Sequence, residues 1–213
     1  MRTYVGRRAL AAAFLVFGAA AGGRAKSESK AIELRRAMDK LWEDHVTWTR
    51  LYIVSALANL PDKQATTERL LRNQVDIGNA VKPFYGDAAG DSLTGLLKDH
   101  ILISADVVAA AAANDSAKLD DANARWRANA NQIADFLATA NSNWPSQEMR
   151  KMMREHLDLT TNEAVARIKK DWNADVDAYE KVHKQILAMA EMLSTGIIRQ
   201  FPEKFGLRKA SSK

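Results

Sequence analysis

The stretch Leu41-Trp42-Glu43-Asp44-His45-Val46 returns twice in the same apolar frame, as Leu96-Leu97-Lys98-Asp99-His100-Ile101 and as Met152-Met153-Arg154-Glu155-His156-Leu157. The three histidines stand 55 and 56 residues apart. That spacing is the length of one helical hairpin, so the chain reads as three hairpins, each bringing one imidazole into the interior. Around each copy the apolar residues recur at intervals of three and four. Leu34, Met38, Leu41, His45, Trp48 and Tyr52 form the seam of an amphipathic helix, with His45 in its middle. Leu93, Leu96, His100, Ile103 and Val107 repeat the pattern, as do Met149, Met152, His156 and Leu159. No strand pattern competes. The expected fold is all-α: an antiparallel up-and-down bundle of six helices built from helical hairpins, ferritin-like or hemerythrin-like in style.

Breakers place the helix ends. Pro61-Asp62 closes a first helix over residues 29–60, because proline ends the periodic pattern and aspartate can cap the next helix. The second helix runs to Lys82 before Pro83, and a third follows the glycine turn of residues 86–91 as far as Ala113. The fourth covers residues 117–139 and stops at Asn141-Ser142-Asn143-Trp144-Pro145. A short fifth helix is expected over residues 146–158. Thr160-Thr161-Asn162-Glu163 then matches a capping box and marks the start of a long sixth helix to Arg199.

At 213 residues the chain suits one domain, placed at residues 27–205, with a polar, disordered tail at 206–213. Residues 1–25 read as a secretory signal: Arg2, Arg7 and Arg8 precede an apolar run from Ala9 to Ala21, and small residues up to Ala25 offer a cleavage site. The run is too short to span a membrane, so export to the periplasm or beyond, without a stable anchor, is the expectation. Removing the four arginines of that segment leaves 27 basic against 26 acidic side chains, a net charge of +1. Such neutrality gives no electrostatic basis for binding nucleic acid. The absence of cysteine excludes disulfides and thiolate ligands.

The partner helices place polar groups opposite the histidines: Asn73 on the second, Asn129 on the fourth and Asp175 on the sixth. With a rise of about 1.5 Å per residue, His45, Asn73, His100, Asn129 and His156 fall within a turn or two of one level, whereas Asp175 falls off it. Three readings of this layer stand side by side. The imidazoles can be core residues satisfied by neighbouring amides, since a buried polar group without a partner costs about 1–3 kcal/mol. They can be ligands of a transition metal (zinc, copper, iron or manganese), with Asp44, Asp99 and Glu155 as further ligands or as acceptors behind the rings. They can also border a small-molecule pocket lined by tryptophans, in which Asn73, Asn129 and Trp48 touch the guest. No helix carries the Glu-x-x-His string of di-iron sites, and adjacent residues on a helix point about 100° apart, so each acid flanks the seam rather than sharing an ion with its own histidine. There is no glycine-rich phosphate loop and no nucleophile elbow, and no catalytic residue is assigned.

Leu41-Trp42-Glu43-Asp44-His45-Val46-Thr47-Trp48-Thr49-Arg50, Asn73-Gln74-Val75-Asp76-Ile77-Gly78-Asn79 and Gly196-Ile197-Ile198-Arg199-Gln200-Phe201-Pro202 resemble a family of small exported bacterial proteins with no assigned activity. The resemblance spans residues 34–205. Members of that family carry names such as glycosyltransferase and acetylglutamate kinase, yet those enzymes need α/β nucleotide-binding domains that an all-helical chain does not supply. The resemblance implies no cofactor and no site.

Overall fold

The computed structural model describes residues 17–207, with side chains from Lys30 onward. Residues 1–16 of the expected leader and the tail from Arg208 lie outside the described residues. Six α-helices follow in order: α1 (Phe17–Leu57), α2 (Lys63–Tyr85), α3 (Asp87–Ala112), α4 (Ser116–Ala140), α5 (Ser146–Ile168) and α6 (Trp172–Gln200), closed by a 3₁₀ turn at Pro202–Phe205. Each helix packs antiparallel on its neighbour in sequence, and α6 packs back on α1 to close the ring. Inside the ring α1, α3 and α5 also touch one another. These three run in the same direction, so equivalent positions of the three hairpins meet on a common axis. No helix among the described residues is long and apolar enough to cross a membrane.

The 55–56-residue period governs the whole core. Seven residues before each histidine stand Met38, Leu93 and Met149, and three before stand Trp42, Leu97 and Met153, all buried. Eight after stand Ile53, Val108 and Ala164, a separate buried cluster below the histidines. The outer helices repeat as well, with Ile77, Ile133 and Met189 at 1%, 1% and 2% exposure. The buried face of α1 is centred on Met38, Trp42, His45, Val46 and Ile53, whereas Leu41, Trp48 and Tyr52 are only half-buried. An inner helix faces the axis and two outer neighbours, so it buries a wider face than a two-helix seam does. Where α2 meets α3 the backbones close up: a methyl added at Gly78 would lie 2.6 Å from the Gly90 carbonyl oxygen, and one added at Gly90 would lie 2.7 Å from that of Gly78.

The third hairpin differs from expectation. Thr160-Thr161-Asn162-Glu163 does not start a helix; α5 runs straight through it to Ile168, and α6 begins at Trp172. The threonine hydroxyls donate to the carbonyls of His156 and Leu157, one turn back in the same helix, instead of capping a new one. The turn falls at Lys170, whose φ is 58°, followed by Asp171, which caps α6 by accepting from the Ala174 amide. The first two hairpins turn at Asn59 and Asn114, also left-handed, at φ 52° and 54°. All three of these residues lie fourteen after their histidine, so the repeat is complete in all three hairpins.

Candidate functional site

Desolvation governs the histidine layer. His45, His100 and His156 are 3%, 3% and 5% exposed. Their ring centroids stand 5.7 Å apart for His45–His156 and 6.4 Å apart for His100–His156. Burial holds all three as neutral imidazoles: His45 lies well below its ordinary range, His100 is lowered to about 3 and His156 to about 4. Mutual repulsion adds to this for His45 and His100.

His100 and His156 are each hydrogen-bonded to an amide of their partner helix. Asn129 Nδ2 donates to the Leu96 carbonyl at 3.0 Å, which turns Asn129 Oδ1 onto His100 Nδ1 at 2.8 Å. Trp126 Nε1, a donor only, reaches His100 Nε2 at 3.2 Å. His100 Nε2 therefore accepts, Nδ1 carries the proton, and both ring nitrogens are engaged with α4. The third hairpin copies the arrangement: Gln185 Nε2 donates to the Met152 carbonyl at 3.1 Å and its Oε1 faces His156 Nδ1 at 3.2 Å. In both cases the carbonyl belongs to the residue four before the histidine. Asn73 Nδ2 likewise donates to the Leu41 carbonyl at 3.0 Å. In that first hairpin the task is divided, because Asn73 Oδ1 accepts from Gln74 Nε2 and Gln74 is the side chain that favours a proton on His45. Neither His45 Nδ1 nor Gln74 Oε1 completes a hydrogen bond, and Trp42 Nε1 above them is also buried without a partner.

The structure brings His45, His100, His156, Asn73 and Asn129 together and leaves the other expected site residues outside. Asp99 and Glu155 are exposed. Asp44 is half-buried and pairs with Lys40 at 2.8 Å and Arg69 at 3.3 Å. Trp48 is half-buried with the Arg69 guanidinium 5.0 Å above its ring. The helical turn separates each acid from its neighbouring histidine, as the angle between adjacent residues requires. Two imidazoles sharing one zinc-sized ion at about 2.0–2.1 Å with a tetrahedral angle between them would have ring centroids about 5.2 Å apart. Both observed separations are wider. Among the described residues no group of three histidine or acidic side chains is placed to hold a metal ion.

Asp175, expected off the histidine level, sits in an ion cluster at the turn end of the bundle. Arg50 binds Glu163 at 2.9 Å and Asp175 at 2.9 and 3.2 Å, while Arg167 reaches Asp175 at 3.0 Å. Both acids are 1% exposed. Burial, against the pull of Arg50, raises the Glu163 carboxyl to about 7, whereas the two guanidiniums outweigh burial at Asp175 and keep it below its ordinary range. Residue spacing had pointed to Glu163 only as the acid of a capping box, and to neither Arg50 nor Gln185. His183, half-buried, pairs with Glu43 at 3.1 Å away from the layer.

Immediately below the histidines lies a cavity of about 80 Å³. Its walls come from α1, α3 and α5, and Leu119, Asn123 and Trp126 of α4 close one side. No protein-family model, curated protein or solved structure matches this chain, and the chemistry of the site rests on its own geometry.

Proposed function

We propose that the protein is a non-catalytic helical binding or scaffold module in which the buried histidine–amide pairs fix the register of the three hairpins. The observation that carries this reading is the closed chain from inner-helix imidazole to outer-helix amide to inner-helix carbonyl in the second and third hairpins. A slip of one residue in either helix breaks two hydrogen bonds at once and leaves buried polar atoms unpaired. The complete engagement of His100 supports this over coordination, since a metal at that ring needs the lone pair that Trp126 uses. The family resemblance over residues 34–205 is compatible, as it implies the same all-helical build without an activity.

One observation favours a second reading. His45 Nδ1 is buried and unpartnered beside two further neutral imidazoles, the protonation state in which histidine binds a transition metal. Metal analysis of the purified protein after equilibration with zinc or copper, together with nitrogen-15 spectra of the imidazoles, tests both. The register reading expects Nδ1–H tautomers at His100 and His156 and no stoichiometric metal. One tightly held equivalent, lost in His45→Ala and in His156→Ala with folding intact, would replace it by the metal reading.

A further inference from the structure

The repeat that fills the core above the histidines fails to fill it below. Seven residues before the imidazoles the layer is Met38, Leu93 and Met149; eight after them it is Ile53, Val108 and Ala164, where each step around the axis is smaller. Ile53, Val108 and Ala164, together with Ala111, line the 80 Å³ cavity. Four residues after the histidines stand Thr49, Ser104 and Thr160, so the ceiling of the cavity is a triangle of hydroxyls. Their protons are already placed: Thr49 and Thr160 donate to the carbonyls of His45 and His156, and Ser104 to that of Ile101. What these hydroxyls present to the cavity is oxygen lone pairs; Tyr52, Thr161 and Asn123 add further polar side chains at its wall, and no charged side chain lines it. An ion would lose its hydration there without compensation. A cavity of about 150 Å³ walled by aliphatic and aromatic groups stays dry and takes up benzene or xenon, so one of about half that volume suits a guest of two to four heavy atoms.

We infer that this cavity, between the inner helices and α4, is a binding site for a small, neutral, apolar molecule of dissolved-gas size, seated between Val108, Ala164 and the Trp126 ring. Trp126 belongs to both environments, because its ring lines the cavity while its N–H donates to His100. Occupancy is thereby transmitted to the histidine layer through one side chain. The site stands whether or not the imidazoles bind metal.

Xenon is the probe. In the full-length protein, xenon-129 resonance shifts that saturate, with accompanying shifts of the Trp126 indole N–H and the His100 ring nitrogens, are the expected result. Dissolved oxygen, being paramagnetic, should broaden the Val108 and Ala164 methyls more than those of Leu93 above the layer. Ala164→Ile restores the residue of the first hairpin and should weaken xenon binding at least tenfold, with Ala164→Val intermediate and available should the larger variant fail to fold. A xenon response that does not saturate, one that is equal in the parent and Ala164→Val or Ala164→Ile, or ordered water filling the cavity would overturn the assignment.

Discussion

At the scale of single residues, the histidine layer is a problem in satisfying buried polar atoms. Gln185→Met keeps side-chain length but leaves the His156 Nδ1 proton without an acceptor, and should cost about 1–3 kcal/mol in urea unfolding. Adding His156→Leu removes the orphan, so the double variant should be less destabilised than the two single costs combined; strict additivity would show that the pair does not interact. Acid provides the second test. In the folded state His100 is lowered to about 3 and His156 to about 4, and burial holds His45 well below its ordinary range, whereas the unfolded values lie near 6.5. The unfolded chain therefore binds more protons as pH falls below 6.5, and stability drops. Glu163 works in the opposite sense, because its folded value near 7 exceeds the unfolded 4.5, so its contribution is lost as pH rises through 7. Three histidines against one carboxyl leave about two net protons near pH 5.5, a slope of up to roughly 2.7 kcal/mol per pH unit. Unfolding midpoints equal at pH 7.5 and 5.5 would contradict the buried, neutral assignment.

At the scale of elements, the turns separate what could be read from the chain and what could not. Asn114-Asp115 announces its turn, since asparagine tolerates the left-handed conformation and aspartate caps the following helix. Lys170 occupies the equivalent position with an ordinary side chain, and ten residues earlier Thr160–Glu163 imitates a capping box. The helix boundary was therefore expected about ten residues too early; the seam of the sixth helix offered Asp175 as its inward polar group, off the histidine level, and Gln185, the residue that meets His156, was passed over. The all-helical fold and the shared level of the histidines were legible because they depend only on period and rise. The pairing of His156 required the correct turn, and the Arg50–Glu163–Asp175 cluster required packing across three helices. Strain at the third turn is measurable: Lys170→Gly should stabilise the protein by about 1 kcal/mol, through relief of the clash between Cβ and the following carbonyl. Asn59→Gly and Asn114→Gly should gain less. A thermal midpoint lowered by Lys170→Gly would place the left-handed residue elsewhere.

At the scale of the molecule, a closed ring of three similar hairpins has no privileged starting point. α1 and α6 are neighbours, and the 3₁₀ turn that closes the described residues also touches α1. The turn at Asn59–Asp62 is fully exposed. A circular permutant that begins at Pro61, ends at Asn59 and joins Leu207 to Lys30 by about ten glycine and serine residues exchanges one loop closure for another, at a cost on the order of 1 kcal/mol. Every histidine–amide pair survives the rearrangement, although the α1–α2 hairpin becomes an association of the two chain ends. The permutant should be monodisperse, unfold cooperatively and keep the imidazole tautomers of the parent. An expanded or aggregated product would mean that the first hairpin must form as a local unit before the axis can assemble, and that the unsatisfied atoms around His45 leave it unable to dock on the other two unaided.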